Sequence, residues 1–120
     1  MKRKDFELER AVLEAIGAKK GKLFPSGWVL EAVMPDDRIV MVFINERSSS
    51  AFKDNVYTFS DAWMENVKDY PENGLICIVD KENLQNLYII DPQDPTTTGF
   101  NLSVSYDEYE TPVYNYIKLK

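Results

Sequence analysis

The chain of 120 residues contains no histidine and one cysteine, so its chemistry would have to be built on carboxylates. The missing histidine excludes Ser-His-Asp and Cys-His catalysis, imidazole proton shuttling and the commonest zinc ligand. A lone thiol can complete neither a structural zinc site nor an internal disulfide, which suits a reducing, cytoplasmic compartment. Cys77 sits inside Leu75-Ile76-Cys77-Ile78-Val79, where a buried thiol behaves as a small hydrophobe. Any metal would be a hard cation, Mg or Mn, on Asp and Glu. No other cofactor is expected.

Two acidic features stand out. Glu9 falls between Leu13 and Ile16 on a helical projection, on the apolar side. A carboxylate there needs a partner, a pocket or a route to the edge of the stripe, because an unpaired buried charge is expensive. The second feature is the run Tyr106-Asp107-Glu108-Tyr109-Glu110. Acids interleaved with tyrosines could imitate the flat, negative surface of nucleic acid, or anchor a basic protein partner. The plainer reading is a polar loop whose tyrosines lean on a sheet.

These features sit on an acidic chain, with a net charge of −6. A protein that grips nucleic acid gains affinity by placing cations on phosphates, so this chain would have to concentrate the few it has. Lys2, Arg3, Lys4, Lys19, Lys20 and Lys22 do gather near the start, although a solvated helix end is the favoured explanation. Direct nucleic-acid binding is therefore the less favoured expectation. No apolar run approaches the roughly 20 residues that span a bilayer. The basic N-terminus is not followed by the apolar segment of a signal peptide, and no membrane role is expected. The length fits one domain, residues 1–120, with a core that needs no staples.

The elements that must position these residues can be read from periodicity. A helix is predicted from about Arg3 to Ala18, with Leu8, Val12, Ala15 and Ile16 as its stripe and Gly17 and Lys19-Lys20-Gly21 closing it. Trp28–Met34 and Ile39–Ile44 read as a strand hairpin around Pro35-Asp36-Asp37-Arg38. A short strand, Asn55–Phe59, leads to a helix of about Asp61 to Asp69 capped by Ser60. Trp63, Val67 and Tyr70 recur at helical spacing and are assigned to the core. Leu75–Val79 and Leu87–Ile90 are continuous apolar runs, expected as strands covered on both faces. In the last segment Phe100, Leu102, Val104 and Tyr106 alternate with Asn101, Ser103 and Ser105. Val113, Ile117 and Leu119 are expected to repeat the apolar face, against Tyr114, Tyr116, Lys118 and Lys120.

This order resembles the core of the restriction-endonuclease-like, or PD-(D/E)XK, superfamily, and in detail the archaeal Holliday-junction resolvases. Phe6-Glu7-Leu8-Glu9-Arg10 is similar to the acidic opening of that family's first helix. Phe24-Pro25-Ser26-Gly27 resembles its serine-glycine loop, and Ile44-Asn45-Glu46-Arg47-Ser48-Ser49 its catalytic strand end. The resemblance covers about residues 5 to 90, the nuclease-like core, with residues 100–119 as a hairpin extension. It implies a divalent cation on acids of the hairpin, with a lysine beside them to activate water.

The departures weigh as much as the matches. Val29 falls at the family's aspartate position, and Phe43 and Asn45 at the acid and the lysine. None can do the job of the acids and the lysine. Glu31 shares a strand face with Val29, and Glu46 lies just beyond the second strand. Glu9, Glu31 and Glu46, with Ser26, are therefore the only candidates for a displaced catalytic site, with Glu9 and Glu31 as its metal ligands. Pro35-Asp36 repeats the letters of the motif in a turn that should face solvent. The expected architecture is α+β: a mixed central sheet flanked by two helices, with a C-terminal antiparallel strand pair. The expected function is a non-catalytic acidic binding protein on a degenerate nuclease-like scaffold. Its partner would be a protein, of the basic nucleic-acid-binding kind, held or inhibited through Tyr106, Asp107, Glu108, Tyr109 and Glu110. Two alternatives stand beside it: a Mg- or Mn-dependent nuclease, and a structural subunit whose hairpin extends a partner's sheet.

Overall fold

The computed structural model describes residues 3–119, with side chains from residue 6 onward, so Lys2, Arg3 and Lys4 of the basic cluster lie outside the described side chains. The first helix, α1 (Arg3–Ile16), forms because its apolar residues fall on one face, where Leu8 and Val12 are fully buried. Each such side chain contributes about 1.5–3 kcal/mol on leaving water. Gly17 ends α1 with φ +70°, donating to the Glu14 carbonyl while Ala18 N–H reaches back to Leu13. That paired closure needs the left-handed conformation that glycine adopts without strain.

Three strands follow as an antiparallel meander: β1 (Lys20–Leu23), β2 (Val29–Val33) and β3 (Ile39–Arg47). The strand β1 is a correction, since Lys19-Lys20-Gly21 was expected only to close the helix. Its Gly21 lies under α1, and a Cβ there would sit 2.6 Å from Leu13 Cδ2 and 2.8 Å from the Glu31 carbonyl. Between β2 and β3 the chain turns at Asp37, φ +67°, with Asp36 and Asp37 turned to solvent and Asp37 paired with Lys19.

After a 3-10 turn (Ser49–Phe52) the chain forms β4 (Val56–Ser60), then α2 (Asp61–Lys68). Ser60 Oγ accepts from Trp63 N–H at 3.2 Å, and Asp61 lies in the first turn, both favourable at the positive end of the helix. Then come β5 (Gly74–Asp80), β6 (Asn83–Ile90), β7 (Phe100–Tyr106) and β8 (Pro112–Lys118).

The strands form two sheets. The larger is mixed and five-stranded, in the order β1-β2-β3-β5-β6, with β3 and β5 parallel and the other pairs antiparallel. The smaller is antiparallel, in the order β4-β8-β7. The chain is thus α+β. Alternate residues of β3 and β5 feed two cores. Val40, Val42, Ile44, Cys77 and Val79 pack toward α1. Met41, Phe43, Ile76 and Ile78 pack toward α2 and the small sheet, with Tyr57, Phe59, Phe100 and Tyr116. That double burial explains the unbroken apolar run of β5. The run Leu87–Ile90 differs, because β6 is an edge strand and only Ile90 in it is fully buried.

The C-terminal hairpin corrects one expectation and the end of α2 another. Tyr114 and Tyr116, not Val113 and Ile117, turn toward the core; Tyr116 is 1% exposed and Ile117 38%. Tyrosine can bury its ring and still present its hydroxyl to a partner, so it alternates like a hydrophobe while reading as polar. Tyr70 lies beyond the end of α2 and is 42% exposed, its ring against Phe43 at the surface rather than inside the core.

Candidate functional site

The nuclease alternative requires Glu9, Glu31 and Glu46 to converge. Glu9 projects from α1, half-buried, and its Oε2 accepts from the Leu23 N–H at 3.1 Å. The carboxylate on the apolar stripe therefore finds a backbone donor at the end of β1. Glu31 sits opposite Lys22 on β1 and Met41 on β3, and Met41 packs toward α2. Strand alternation thus places Glu31 on the face of the sheet away from α1 and Glu9. Glu46 is exposed near the end of β3, on the same parity as Val40, Val42 and Ile44. Ser26 is exposed in the turn of residues 24–27, closed by Gly27 N–H on the Phe24 carbonyl. Among the described residues, no three His, Cys, Asp or Glu side chains come together as a metal-binding group. Val29 and Phe43 face each other across β2 and β3, in the core toward α2. Cys77 is fully buried, and burial pushes its thiol pKa up, so it remains a packed neutral thiol.

A polar cluster that the sequence reading passed over lies at the carboxyl ends of the parallel pair β3 and β5. Asp80, the last residue of β5, is 1% exposed. Its carboxylate accepts from Ser49 Oγ at 2.6 and 2.8 Å, from Glu82 N–H at 2.8 Å and from Asn86 Nδ2 at 3.2 Å. The Ser49 hydroxyl foremost, with the backbone donors, lowers its pKa despite desolvation. Beside it, Arg47 Nε donates to Asn45 Oδ1 and Nη2 to the Thr58 carbonyl, each at 2.6 Å, with the guanidinium 5.0 Å from the Phe59 ring centre. Burial lowers the Arg47 pKa. The cluster ties the 3-10 turn and β4 to the large sheet. Its groups are occupied with one another, which fits a structural joint better than a reaction site. The signal available in the sequence was an aspartate ending a fully apolar strand.

The acidic tyrosine run forms the tip of the β7–β8 hairpin, where Tyr106 is 67% and Tyr109 80% exposed. Asp107 Oδ1 accepts from both Tyr109 N–H and Thr111 N–H at 2.9 Å, and Glu110 adopts φ +62° to close the turn. Asp107 is thereby spent on the turn, while Glu108 and Glu110 are exposed. On the core-facing side of β7 only Phe100 is covered; Leu102 and Val104, on the same side, are 40% and 42% exposed. The hairpin overhangs the core and carries an apolar strip with an acidic end. Between Lys81 and Lys118 there is no lysine or arginine, and the six carboxylates there (Glu82, Asp91, Asp94, Asp107, Glu108 and Glu110) equal the chain's net charge of −6. The opposite side of the small sheet is polar at its centre, where Thr58, Asn115 and Ser105 are hydrogen-bonded in a row.

Comparison with protein-family models, curated proteins and solved structures gave no match. No helix among the described residues is long and apolar enough to cross a membrane.

Proposed function

We propose that this chain is a non-catalytic binding protein whose C-terminal hairpin occupies the basic, nucleic-acid-binding surface of a protein partner. The observation that carries this reading is the overhang of β7. Leu102, Val104 and Tyr106 lie uncovered beside Glu108 and Glu110, in a stretch without a single cation. An apolar centre gives affinity on burial, and a rim of one charge sign gives selectivity and steering toward the opposite sign. Phosphate would be repelled by the same rim, so nucleic acid itself is disfavoured.

The scaffold part of the reading is supported by the order of elements: α1, an antiparallel meander, α2, and β5 laid parallel to β3, with the helices on opposite faces. A nuclease-like frame with Val29, Phe43 and Asn45 in place of acid and lysine would keep its shape without its metal chemistry. The separation of Glu31 from Glu9 by the sheet argues against a displaced site.

The test is an electrophoretic assay of labelled linear, single-stranded and branched DNA at low salt, with manganese or EDTA, run beside titration with an arginine-rich peptide. The expected result is no cleavage, no DNA shift, and saturable peptide binding that weakens in Glu108→Gln/Glu110→Gln. Manganese-dependent cleavage lost in Glu9→Ala would overturn the reading.

A further inference from the structure

Where β2 and β3 run past α2, the face of the large sheet is left partly open as an aromatic cleft of about 260 Å³. Phe43, 3% exposed, is its floor. Trp28 and Tyr70 rise on two sides, their rings tilted 44° and 43° from Phe43 with centroids 6.1 and 5.8 Å away. Phe24 completes the wall, from a turn held by the Phe24 N–H to Val29 carbonyl bond. Asn66 and Asp69 of the α2 segment lie at the rim.

We infer that this cleft is an arginine pocket, which takes the guanidinium of a side chain from the basic partner. It rests on the proposed function for the source of that arginine, but its own chemistry selects the group. Small-molecule sites run from roughly 300 to 1,000 Å³, so this cleft is sized for a side chain rather than a nucleotide. Asp69 is the only charged residue lining it. Among the described residues nothing pairs with the Asp69 carboxylate, because Lys68 turns away to Asp61, Glu65 and Tyr114. Asp69 is also the C-cap of α2, where the helix presents its own partial negative charge. Carboxylate and helix end reinforce each other, so the rim attracts a cation. The walls then choose among cations. A guanidinium is flat, weakly hydrated and stacks on aromatic faces, while an ammonium holds its water and gains less from a half-open cleft. Along α2, Asp61 and Glu65 share the single cation Lys68, and Asp69 has none among the described residues. The helix thus stays net acidic from the hairpin side, where Tyr114 meets Lys68 and Asp61, to the cleft. One basic surface could therefore engage both sites.

The test uses arginine blocked at both ends and its neutral isostere, blocked citrulline, each titrated into the full chain while the Trp28 indole N–H signal is followed by NMR. The expected result is a saturable shift with arginine, about tenfold weaker with citrulline, and lost in Asp69→Asn and in Tyr70→Ala. The shift should persist in Glu108→Gln/Glu110→Gln, which leaves the cleft intact. No shift with arginine, or equal binding of citrulline, overturns the inference. If Trp28 stays unmoved while an arginine-rich peptide still binds the hairpin, the cleft fails and the proposed function stands. If Trp28 responds but the hairpin variant binds the peptide as tightly as wild type, the hairpin fails and the arginine pocket stands.

Discussion

Arg47 and Asp80 are register neighbours at the carboxyl ends of β3 and β5, and their side chains go to different elements. Arg47 reaches the Thr58 carbonyl on β4 and the Phe59 ring, while Asp80 holds Ser49 in the 3-10 turn. Two residues thus tie the small sheet and its connection onto the large one.

Removing that tie should be felt in stability. Arg47→Met keeps much of the stem but deletes the donors to Asn45 and Thr58. Hydrogen bonds from a charged donor are worth about 1.5–3 kcal/mol, and a loss of that order is expected in urea unfolding. Arg47→Lys should recover part of it only, since an ammonium cannot reproduce the fork between a side chain and a backbone carbonyl.

Asp80 predicts an acid limb. Its folded pKa is lowered, first by Ser49, so its contribution is present above the unfolded value of about 3.9 and is lost as pH falls through the folded value. Asp80→Asn should therefore be clearly less stable at neutral pH, where its amide would face donors. The urea midpoints of the two proteins should draw together as pH drops below the carboxylate range.

Tyr57 predicts an alkaline limb. Its hydroxyl is buried with no hydrogen-bond partner among the described residues, and burial, reinforced by Tyr88, pushes the phenol pKa up to about 12 although Arg47 lowers it. The folded state thus favours the neutral phenol. That advantage is complete below the unfolded value of about 10 and is lost as pH rises toward 12. Tyr57→Phe removes no hydrogen bond, so it should be neutral or stabilising by up to about 1 kcal/mol at pH 7 and should flatten the alkaline loss. Tyr116, also raised to about 12 by burial, would retain a smaller slope.

The hairpin separates folding from binding. Leu102→Ser/Val104→Ser alters side chains that are 40% and 42% exposed, and each change should shift stability by no more than about 0.5 kcal/mol while peptide affinity falls. Tyr116→Ala, on the same sheet but 1% exposed, should cost about 3–5 kcal/mol. Equal effects on folding would mean that the strip is covered in solution.

Asp69 at the C-cap of α2 sets local stability against the pocket. Asp69→Asn relieves carboxylate repulsion at the helix end and should raise stability by about 0.3–1 kcal/mol. A stabilised protein that no longer moves the Trp28 signal with arginine is the expected pair of results.

Much of the fold could be read in the sequence because the periods were long or the boundaries chemical. The stripe of Leu8 and Val12, the Ser60 cap and the break at Pro35–Arg38 each state their element locally. Lys20–Leu23 was missed because Lys-Gly-Lys-Leu has no apolar alternation, and its strand exists through pairing with β2 and the close approach of α1 at Gly21. The β8 parity was misread because Tyr114 and Tyr116 count as polar, although their rings pack toward the core. The burial of Asp80 could not be read locally, because besides Asn86 nearby it depends on a donor far away in sequence, Ser49. The acidic hairpin tip was legible from composition. The aromatic cleft was not, since Trp28, Phe43 and Tyr70 meet only once β2, β3 and the end of α2 are assembled.

We propose the β7–β8 hairpin as the surface for a basic protein. Its most direct test is amide chemical-shift mapping of the chain with an arginine-rich peptide at physiological salt, where screening within about 8 Å suppresses diffuse attraction. Saturable shifts concentrated on residues 102–110, abolished in Glu108→Gln/Glu110→Gln, are predicted. Shifts scattered over every acidic surface, or unchanged in that variant, would contradict it.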